Sequence, residues 1–335
     1  MENTENSLPD SENVTFESRL DLRALSESIE KIKKELETVI VGQHKMIDQL
    51  LVAILSNGHV LIEGVPGVAK TITAKILSKT LSIGFSRIQF TPDLMPSDIL
   101  GTSVYDLKKS EFEFKKGPVF SNLILIDEIN RAPAKTQAAL FEVMEERQIT
   151  MDGTTYILET PFIVLATQNP IEQEGTYRLP EAQLDRFLFK ININYPVLDE
   201  EITILQREHS LQNHGKLDAI ASIISGSEIN TYQALVKQVL VDANLIEYIA
   251  KIVVNTRENA FLYLGASPRA SIAILNAAKG FAAIRGRDFV TPEDIKEAAI
   301  PVLQHRVIVT PEREMEGLTS TEIIKQILES IEIPR

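Results

Sequence analysis

Apolar residues first recur at three- and four-residue steps and then gather into short continuous runs. The first pattern predicts two amphipathic helices, between Leu22 and Ile40 and between Met46 and Leu55. A helix-forming segment also follows Lys70. The continuous runs are typical of strands that are buried on both faces of a sheet. They are HVLIE from His59, LILID from Leu123 and FIVLA from Phe162. SRIQF from Ser86 and FKINI from Phe189 are predicted to be strands as well.

Predicted helices separate several of these strands, the clearest of them at 134–147. Such alternation indicates a parallel α/β sheet. Two β-prone segments predict hairpins instead. One is SVYDLKKSEFEFKKGPVF, in which Phe112 and Phe114 alternate with charges, and the other is QITMDGTTYIL, whose Asp152-Gly153 pair is a strong turn signal.

Beyond Val197 the strand signal fades and helices dominate. The predicted helices are 199–211, 230–240, 242–257, 268–284 and 292–303. We therefore expect a disordered acidic tail at 1–16, an α/β core at 17–196 and a smaller all-α domain at 197–335.

Composition narrows the class of protein only slightly. Apolar residues make up 44% of the 335 residues and charged residues 24%, which is ordinary for a globular protein. The net charge of −13 argues against a broad nucleic-acid footprint, because such a footprint needs Lys and Arg. The absence of cysteine excludes disulfides and thiolate chemistry. With no apolar N-terminal segment and no long apolar run, we expect a cytoplasmic protein without a secretory signal or membrane span.

A glycine-rich loop, GVPGVAKT, joins the first predicted strand to the next helix. Such a loop aims backbone N–H groups and a helix N-terminus at one point, which suits a phosphate chain. Lys70 would add a mobile positive charge, and the Thr71 hydroxyl could ligate Mg²⁺. Ala69 departs from the strict pattern, which has glycine before the lysine. The alternative is a plain turn with a solvated lysine, but the strand before and the helix after favour phosphate binding.

Polar side chains follow two other predicted strands at the same edge of the sheet. Asp127 and Glu128 follow the run LILI, and Asn169 follows FIVLATQ. Asp127 could hold Mg²⁺, and Glu128 could polarise a water for attack on a γ-phosphate. The alternative for these acids is a solvated strand exit. Asn169 could orient the same water, although an Asn-Pro turn explains it as readily.

The arginines carry weaker signals. Arg269 follows Ser267-Pro268, an N-cap and a proline in the first helical turn. A cation there opposes the helix dipole unless an anion binds, so Arg269 is a candidate phosphate sensor, with a solvated arginine as an equal alternative. The residues around Arg186 do not distinguish it from an arginine that forms an ion pair on the surface. The same is true of Arg131 and Arg178. The five histidines have no metal-ligand spacing.

Together these segments resemble the MoxR family of AAA+ ATPases, from about residue 20 to the end. GVPGVAKT is similar to the Walker A motif of that family, alanine included, and LILIDE is similar to its Walker B motif. ATQNP resembles its sensor-1 strand, RLPEAQLDRF the segment with its arginine finger, and GASPRA its sensor 2. The two hairpins resemble the insertions of the helix-2-insert clade, which are expected to face a ring pore or a partner.

The resemblance implies a P-loop AAA+ core with a helical lid that hydrolyses ATP to ADP with Mg²⁺ bound at Thr71 and Asp127. It implies Arg186 as a finger that contacts the nucleotide of a neighbouring subunit, in a ring expected to be hexameric. It also implies a chaperone-like remodeller whose partner is a von Willebrand factor A domain protein or another protein client. The residues that it assigns to nucleotide binding are Val41, Gly42, Gln43, Gly64, Val65, Pro66, Gly67, Val68, Ala69, Lys70, Thr71, Ile72 and Asp127.

Two other functions remain open from the motifs alone. One is a nucleotide-dependent switch or scaffold with little turnover, against which the intact Glu128 and Asn169 argue. The other is a motor subunit related to magnesium chelatase or to nucleic-acid motors. The net charge disfavours the nucleic-acid version.

Overall fold

A parallel five-stranded sheet lies at the centre of the molecule. The computed structural model describes residues 20–65, 67–169, 177, 179–210 and 220–334. The strands are β1 (His59–Gly64), β2 (Phe85–Gln89), β3 (Gly101–Asp106), β4 (Glu111–Lys116), β5 (Leu123–Asp127), β6 (Gln148–Met151), β7 (Thr154–Ile157), β8 (Ile163–Gln168), β9 (Phe187–Ile193), β10 (Leu262–Leu264) and β11 (Ile308–Val309). The central sheet has the order β2-β5-β8-β1-β9, and all of its neighbouring strands are parallel.

Helices flank this sheet and form a second domain behind it. They are α1 (Arg23–Glu37), α2 (His44–Leu55), α3 (Lys70–Thr80), α4 (Pro96–Leu100), α5 (Ala134–Glu146), α6 (Glu181–Leu184), α7 (Leu198–His209), α8 (Gly226–Lys237), α9 (Ala243–Glu258), α10 (Pro268–Ile284), α11 (Pro292–Leu303), α12 (Pro311–Met315) and α13 (Ser320–Ser330). The predicted fold class, an α/β core followed by a helical lid, is confirmed.

Successive residues of the central strands face two different apolar layers. Val60 and Ile62 of β1 belong to the layer formed by α1, α2 and α3, whereas Leu61 belongs to the layer formed by α5 and the second hairpin. Because side chains alternate along a strand, a run that is apolar at every position buries both faces of the sheet. This explains the continuous apolar runs of the sequence.

The lid shares one continuous core with the helices behind the sheet. Helix α10 packs so closely on α2 that a Cβ at Gly280 would lie 2.8 Å from Val52 Cγ1. Arg306, which is almost fully buried, donates to the Asp185 carboxylate at 2.7 Å and to the Phe187 carbonyl at 2.7 Å. These contacts fix the lid against the amino end of β9.

Most predicted elements are found with small shifts of their ends. Helices 268–284 and 292–303 are confirmed to the residue, and both hairpins are confirmed. Helix α8 begins earlier than predicted, because the Ser225 side chain accepts from the Glu228 N–H and caps it. Helix α13 was not predicted. The expected tail at 1–16, Pro66 and Arg178 lie outside the described residues.

Within the described part of the chain, no helix combines the length and apolar character needed to cross a bilayer.

His59, at the start of β1, is a buried neutral side chain rather than a ligand. Its Nδ1 accepts from the Val164 N–H at 3.0 Å, so Nε2 carries the proton and donates to the Met144 carbonyl at 3.2 Å. Burial, together with the charge of Arg147, lowers the pKa of His59 to about 4.

This pKa predicts a loss of stability in mild acid. His59 binds a proton near pH 6.5 in the unfolded chain but only near pH 4 in the folded chain. The free energy that neutral His59 contributes to folding is therefore complete above pH 6.5 and is lost as the pH falls towards 4. Between pH 7 and 5 we expect His59 to contribute a decrease of about 2 kcal/mol in the free energy of unfolding. Urea unfolding at both pH values should show a decrease larger by this amount in the wild type and in the exposed-site control His44→Gln than in His59→Gln, because the other buried histidine, His305, whose pKa is also lowered, contributes to all three proteins. Equal decreases in all three proteins would contradict the assignment.

Candidate nucleotide site

The glycine-rich loop leaves β1 at Gly64 and enters α3 at Lys70, as the sequence predicts. Ala69 has a φ of 59° and supplies the left-handed turn that starts the helix. The Lys70 Nζ folds back over the loop and donates to the Gly64 carbonyl at 2.6 Å. Burial lowers the pKa of Lys70, although the charges of Asp127 and Glu128 oppose this effect. The charged groups of Lys70, Asp127 and Glu128 are therefore close enough to interact electrostatically.

The acid pair is held by the strands on both sides of β5. Asp127 accepts from Arg87 Nε at 2.7 Å and from Thr167 Oγ1 at 3.3 Å. Glu128 has a φ of 58°, and its N–H donates to Thr167 Oγ1 at 3.0 Å. Its carboxylate accepts from Gln89 Nε2 at 2.8 Å and is paired with Arg131. Neighbouring strands thus fix the direction of both carboxylates.

Arg87 and Gln89 are site residues that the sequence analysis missed. They lie two positions apart on β2, with buried Ile88 between them, and Gln89 is in register with Asp127. Polar residues at the carboxyl end of a strand in a parallel sheet lie at the ligand-binding edge. The alternation in SRIQF therefore contained the signal, although the partners could not be read from it.

Asn169 lies between the loop and the acid pair. It follows β8 directly, and β8 is hydrogen-bonded to β5 on one side and to β1 on the other. The side chain is buried. The structure therefore brings together Lys70, Asp127, Glu128 and Asn169 at the carboxyl edge of three adjacent strands.

A cavity of about 330 Å³ opens beside the loop. Its lining is mainly apolar and includes six of the residues predicted to contact nucleotide. The lining residues are Val39, Ile40, Val41, Gln43, Gly67, Val68, Ala69, Ile72, Pro196, Ile204 and Glu208. A flat apolar ring system fits such a pocket, and its phosphates would then extend over the loop. The sequence analysis assigned no nucleotide contact to the other five lining residues, Val39, Ile40, Pro196, Ile204 and Glu208.

Gly42 joins this pocket to helix α7. Its φ is +66°, and a Cβ at this position would lie 2.2 Å from Glu200 Oε1. Glu200 Oε2 accepts from the Val197 N–H at the start of α7, and Arg207 donates to the Glu37 carbonyl. Helix α7, which has no buried residue, is thus attached through polar contacts to the segment that lines the pocket.

The oxygen atoms at this edge fit a magnesium ion. Asp127 contributes a carboxylate and Thr71 a hydroxyl, and Mg²⁺ takes oxygen ligands, usually one or two from protein side chains and the rest from water and phosphate. Among the described residues, no group of three or more His, Cys, Asp or Glu could hold a metal ion by itself.

Arg186 and Arg269 lie together at the opposite edge of the sheet. Both approach Glu145, Arg269 Nη2 at 3.1 Å and Arg186 Nε at 4.0 Å. This end of α5 is beside the amino end of β1, because the preceding residue, Met144, accepts from His59. Strand β1 separates the two edges by roughly 17 Å. The structure therefore places Arg269 beside Glu145 and away from the loop of its own chain, because the lid docks beside Asp185.

Comparison with known proteins agrees with this geometry. Residues 59–189 match the sequence profile of the ATPase family associated with various cellular activities (AAA), and residues 254–327 match that of the AAA lid domain. The chain is 42% identical to the protein named Chaperone MoxR1 from Mycobacterium tuberculosis, over 94% of this chain and 84% of that protein. It is 44% identical to YeaC of Bacillus subtilis, an uncharacterized protein, over 91% of this chain and 94% of that one.

A solved structure is similar throughout. The crystal structure of a candidate ATPase from Cytophaga hutchinsonii has a TM-score of 0.86 and 45% sequence identity, and the match covers 93% of this chain and 97% of that one. A glycine loop, an acid pair after a parallel strand and a helical lid define a P-loop protein of the AAA class. The chain belongs to the MoxR family of AAA+ ATPases.

Gly42 gives a test of the pocket. In Gly42→Ala the alanine would have to adopt an unfavourable positive φ, and its Cβ would displace the Glu200 carboxylate, which accepts from the Val197 N–H at the start of α7. We expect a cost of about 1–2 kcal/mol, or roughly 5- to 30-fold weaker nucleotide binding, measured by titration with fluorescent ADP. Gly317→Ala is the matched control, because Gly317 also has a positive φ but no atom lies within 4 Å of its Cβ. Equal affinities in the two variants would exclude the role of Gly42.

Proposed function

We propose that this chain hydrolyses Mg·ATP within a ring of identical subunits and uses the cycle to remodel a protein partner. One observation carries the proposal. Lys70, Asp127, Glu128 and Asn169 converge beside an apolar pocket at one edge of the sheet, while Arg186 and Arg269 lie at the other. In a single chain, the residues at the loop edge and the two arginines are therefore too far apart to bind the same phosphate.

Each residue at the loop edge has a separate task in this proposal. Lys70 contacts the β- and γ-phosphates, and Thr71 and Asp127 hold Mg²⁺, which neutralises phosphate charge when it is bound. Glu128 accepts a proton from the attacking water, and Asn169 orients that water. Since Gln89 and Arg131 already hold the Glu128 carboxylate, its position is fixed before the substrate arrives.

Arg186 and Arg269 act on a neighbouring copy in this proposal. A guanidinium stabilises the charge that develops on a transferring phosphoryl group. A head-to-tail arrangement, in which the arginine edge of one copy meets the loop edge of the next, completes every site. Such heterologous contacts close into a ring when the rotation permits, and we propose a hexamer.

The partner in this proposal is a protein in the cytoplasm, such as one with a von Willebrand factor A domain. Support comes from the first hairpin, which exposes the side chains of Tyr105, Leu107 and Phe112 to solvent. Exposed aromatic side chains are enriched where proteins meet. The net charge of −13 makes a nucleic-acid partner unfavourable.

Glu128→Gln tests hydrolysis. The amide keeps the size of the side chain but cannot accept the proton, so we expect nucleotide binding within about twofold of wild type and turnover lower by about 10²-fold or more. Phosphate release and ATP titration measure the two quantities. Lys70→Ala is the control that should lose binding as well. Wild-type turnover in Glu128→Gln would exclude the proposed base, and negligible turnover in the wild type would favour a nucleotide switch.

Mixed subunits test the contribution of the neighbour. Lys70→Ala retains the arginines but loses the nucleotide, whereas Arg186→Ala retains the nucleotide but lacks the finger. Each variant alone should be inactive, and an equimolar mixture should recover part of the ATPase activity because some contacts pair an intact loop with intact arginines. Arg23→Ala, a solvent-exposed control, should be active alone. A mixture as inactive as its components would exclude a role in trans.

Arg269→Ala extends the same test. If Arg269 serves the neighbouring copy, mixing Arg269→Ala with Lys70→Ala should recover activity, and mixing it with Arg186→Ala should not. Recovery in the second mixture would mean that Arg269 serves its own chain.

A further inference from the structure

Glu145 is the carboxylate shared by the two arginines. Its Oε1 lies 3.1 Å from Arg269 Nη2, and its Oε2 lies 4.0 Å from Arg186 Nε. Arg186 belongs to the core and Arg269 to the lid, so one side chain of α5 contacts both domains. No motif of the sequence singled out this residue.

Arg186 is attached to the same helix at a second point. Its Nη1 donates to the carbonyl of Phe141, one turn before Glu145 on α5. Phe141 in turn packs edge-to-face against Phe187, with the ring centroids 5.8 Å apart. The Phe141 carbonyl thus holds the guanidinium of Arg186 against α5, with the Glu145 carboxylate at ion-pair distance from it.

The two guanidiniums keep a face towards solvent. The side chains of Arg186 and Arg269 are 29% and 57% exposed, and that of Glu145 is 41% exposed. Arg186 and Glu145 border a shallow cleft of about 200 Å³ that also contains Glu142, Glu146 and Gln183. Both guanidiniums are therefore partly accessible from outside the chain.

The backbones on which the arginines sit are fixed by other contacts. Ser267 donates to Asp185 at 3.3 Å, and the buried Arg306 donates to the same carboxylate. The lid is therefore attached at this point without Glu145. Glu145 instead orients the side chains of Arg186 and Arg269. These long side chains have high rotamer entropy, and their charges repel each other when they are close.

We propose that Glu145 is a positioning residue that holds Arg186 and Arg269 side by side as one anion-binding pair for the phosphates of ATP in the adjacent copy. The inference rests on the proposed function. It extends the site to a residue that acts through the two arginines. Two oriented guanidiniums present more hydrogen-bond donors to a phosphate than one does, and they need no reorganisation when the phosphate arrives.

The mixed-subunit assay separates this role from a structural one. In the parental mixture, Lys70→Ala copies donate arginines and Arg186→Ala copies hold nucleotide. Glu145→Gln is then introduced as a second substitution, either into the Lys70→Ala copy, which is the donor, or into the Arg186→Ala copy, which holds the nucleotide. On the donor we expect the recovered ATPase rate to fall by roughly tenfold or more, because misplaced catalytic groups lose rate steeply. On the nucleotide-holding copy we expect no change in the rate.

Matched variants complete the experiment. Glu142→Gln removes a charge from the same cleft and should leave the rate unchanged when it is placed on the donor. Glu145→Asp keeps the charge one methylene further away and should recover part of the loss. Thermal melting of each variant should agree with that of the wild type, because Glu145 does not hold the lid.

Several outcomes would overturn the inference. Equal losses with Glu145→Gln on either copy would indicate a general structural role, and an increased rate would indicate that Glu145 restrains the arginines instead of presenting them. An unchanged rate would exclude any role. No recovery in the parental mixture would overturn the trans role of Arg186 first, and the inference with it.

Discussion

The parallel order of β5, β8 and β1 is the constraint on which the site depends. Parallel strands end at one edge, so the residues that follow these three strands must be neighbours. This brings the loop, the acid pair and Asn169 together although more than a hundred residues separate the first from the last. The same constraint directs the amino ends of the strands, and Arg186 with them, to the other edge. The separation of the loop from Arg186 and Arg269 within one chain is therefore a consequence of the sheet.

The docking of the lid reinforces this separation. Helices α8, α10 and α11 share a core with α1 and α2, and Gly280 permits the close contact with Val52. Fully buried Ala, Ile and Phe side chains across this contact make independent motion of these helices costly. Helix α7 differs, since it buries none of its residues and lines the nucleotide pocket. Little buried surface therefore opposes a movement of α7.

Local signals made part of the site predictable. The loop and the acid pair directly follow buried strands in the sequence. The alternation of strands and helices therefore predicted at which edge of the sheet they lie. Glu145, Arg87 and Gln89 could not be assigned in this way, because their partners lie about 40 or more residues away in the sequence. The position of Arg269 depends on how the lid docks, which no motif encodes. Helix α13 could have been predicted from the sequence, since Thr319 and Glu322 form a capping box at its start.

The two hairpins behave as one unit, which bears on how force could reach a partner. Phe114 of the first hairpin stacks on Tyr156 of the second with ring centroids 4.6 Å apart, and Ser103 donates to Asp152. Tyr105 and Phe112 pack together on the exposed part of the first hairpin, 5.1 Å apart. Helix α5 runs between the acid pair and the second hairpin, and it also carries Glu145. This one helix therefore lies against the acid pair, the two arginines and the second hairpin at once.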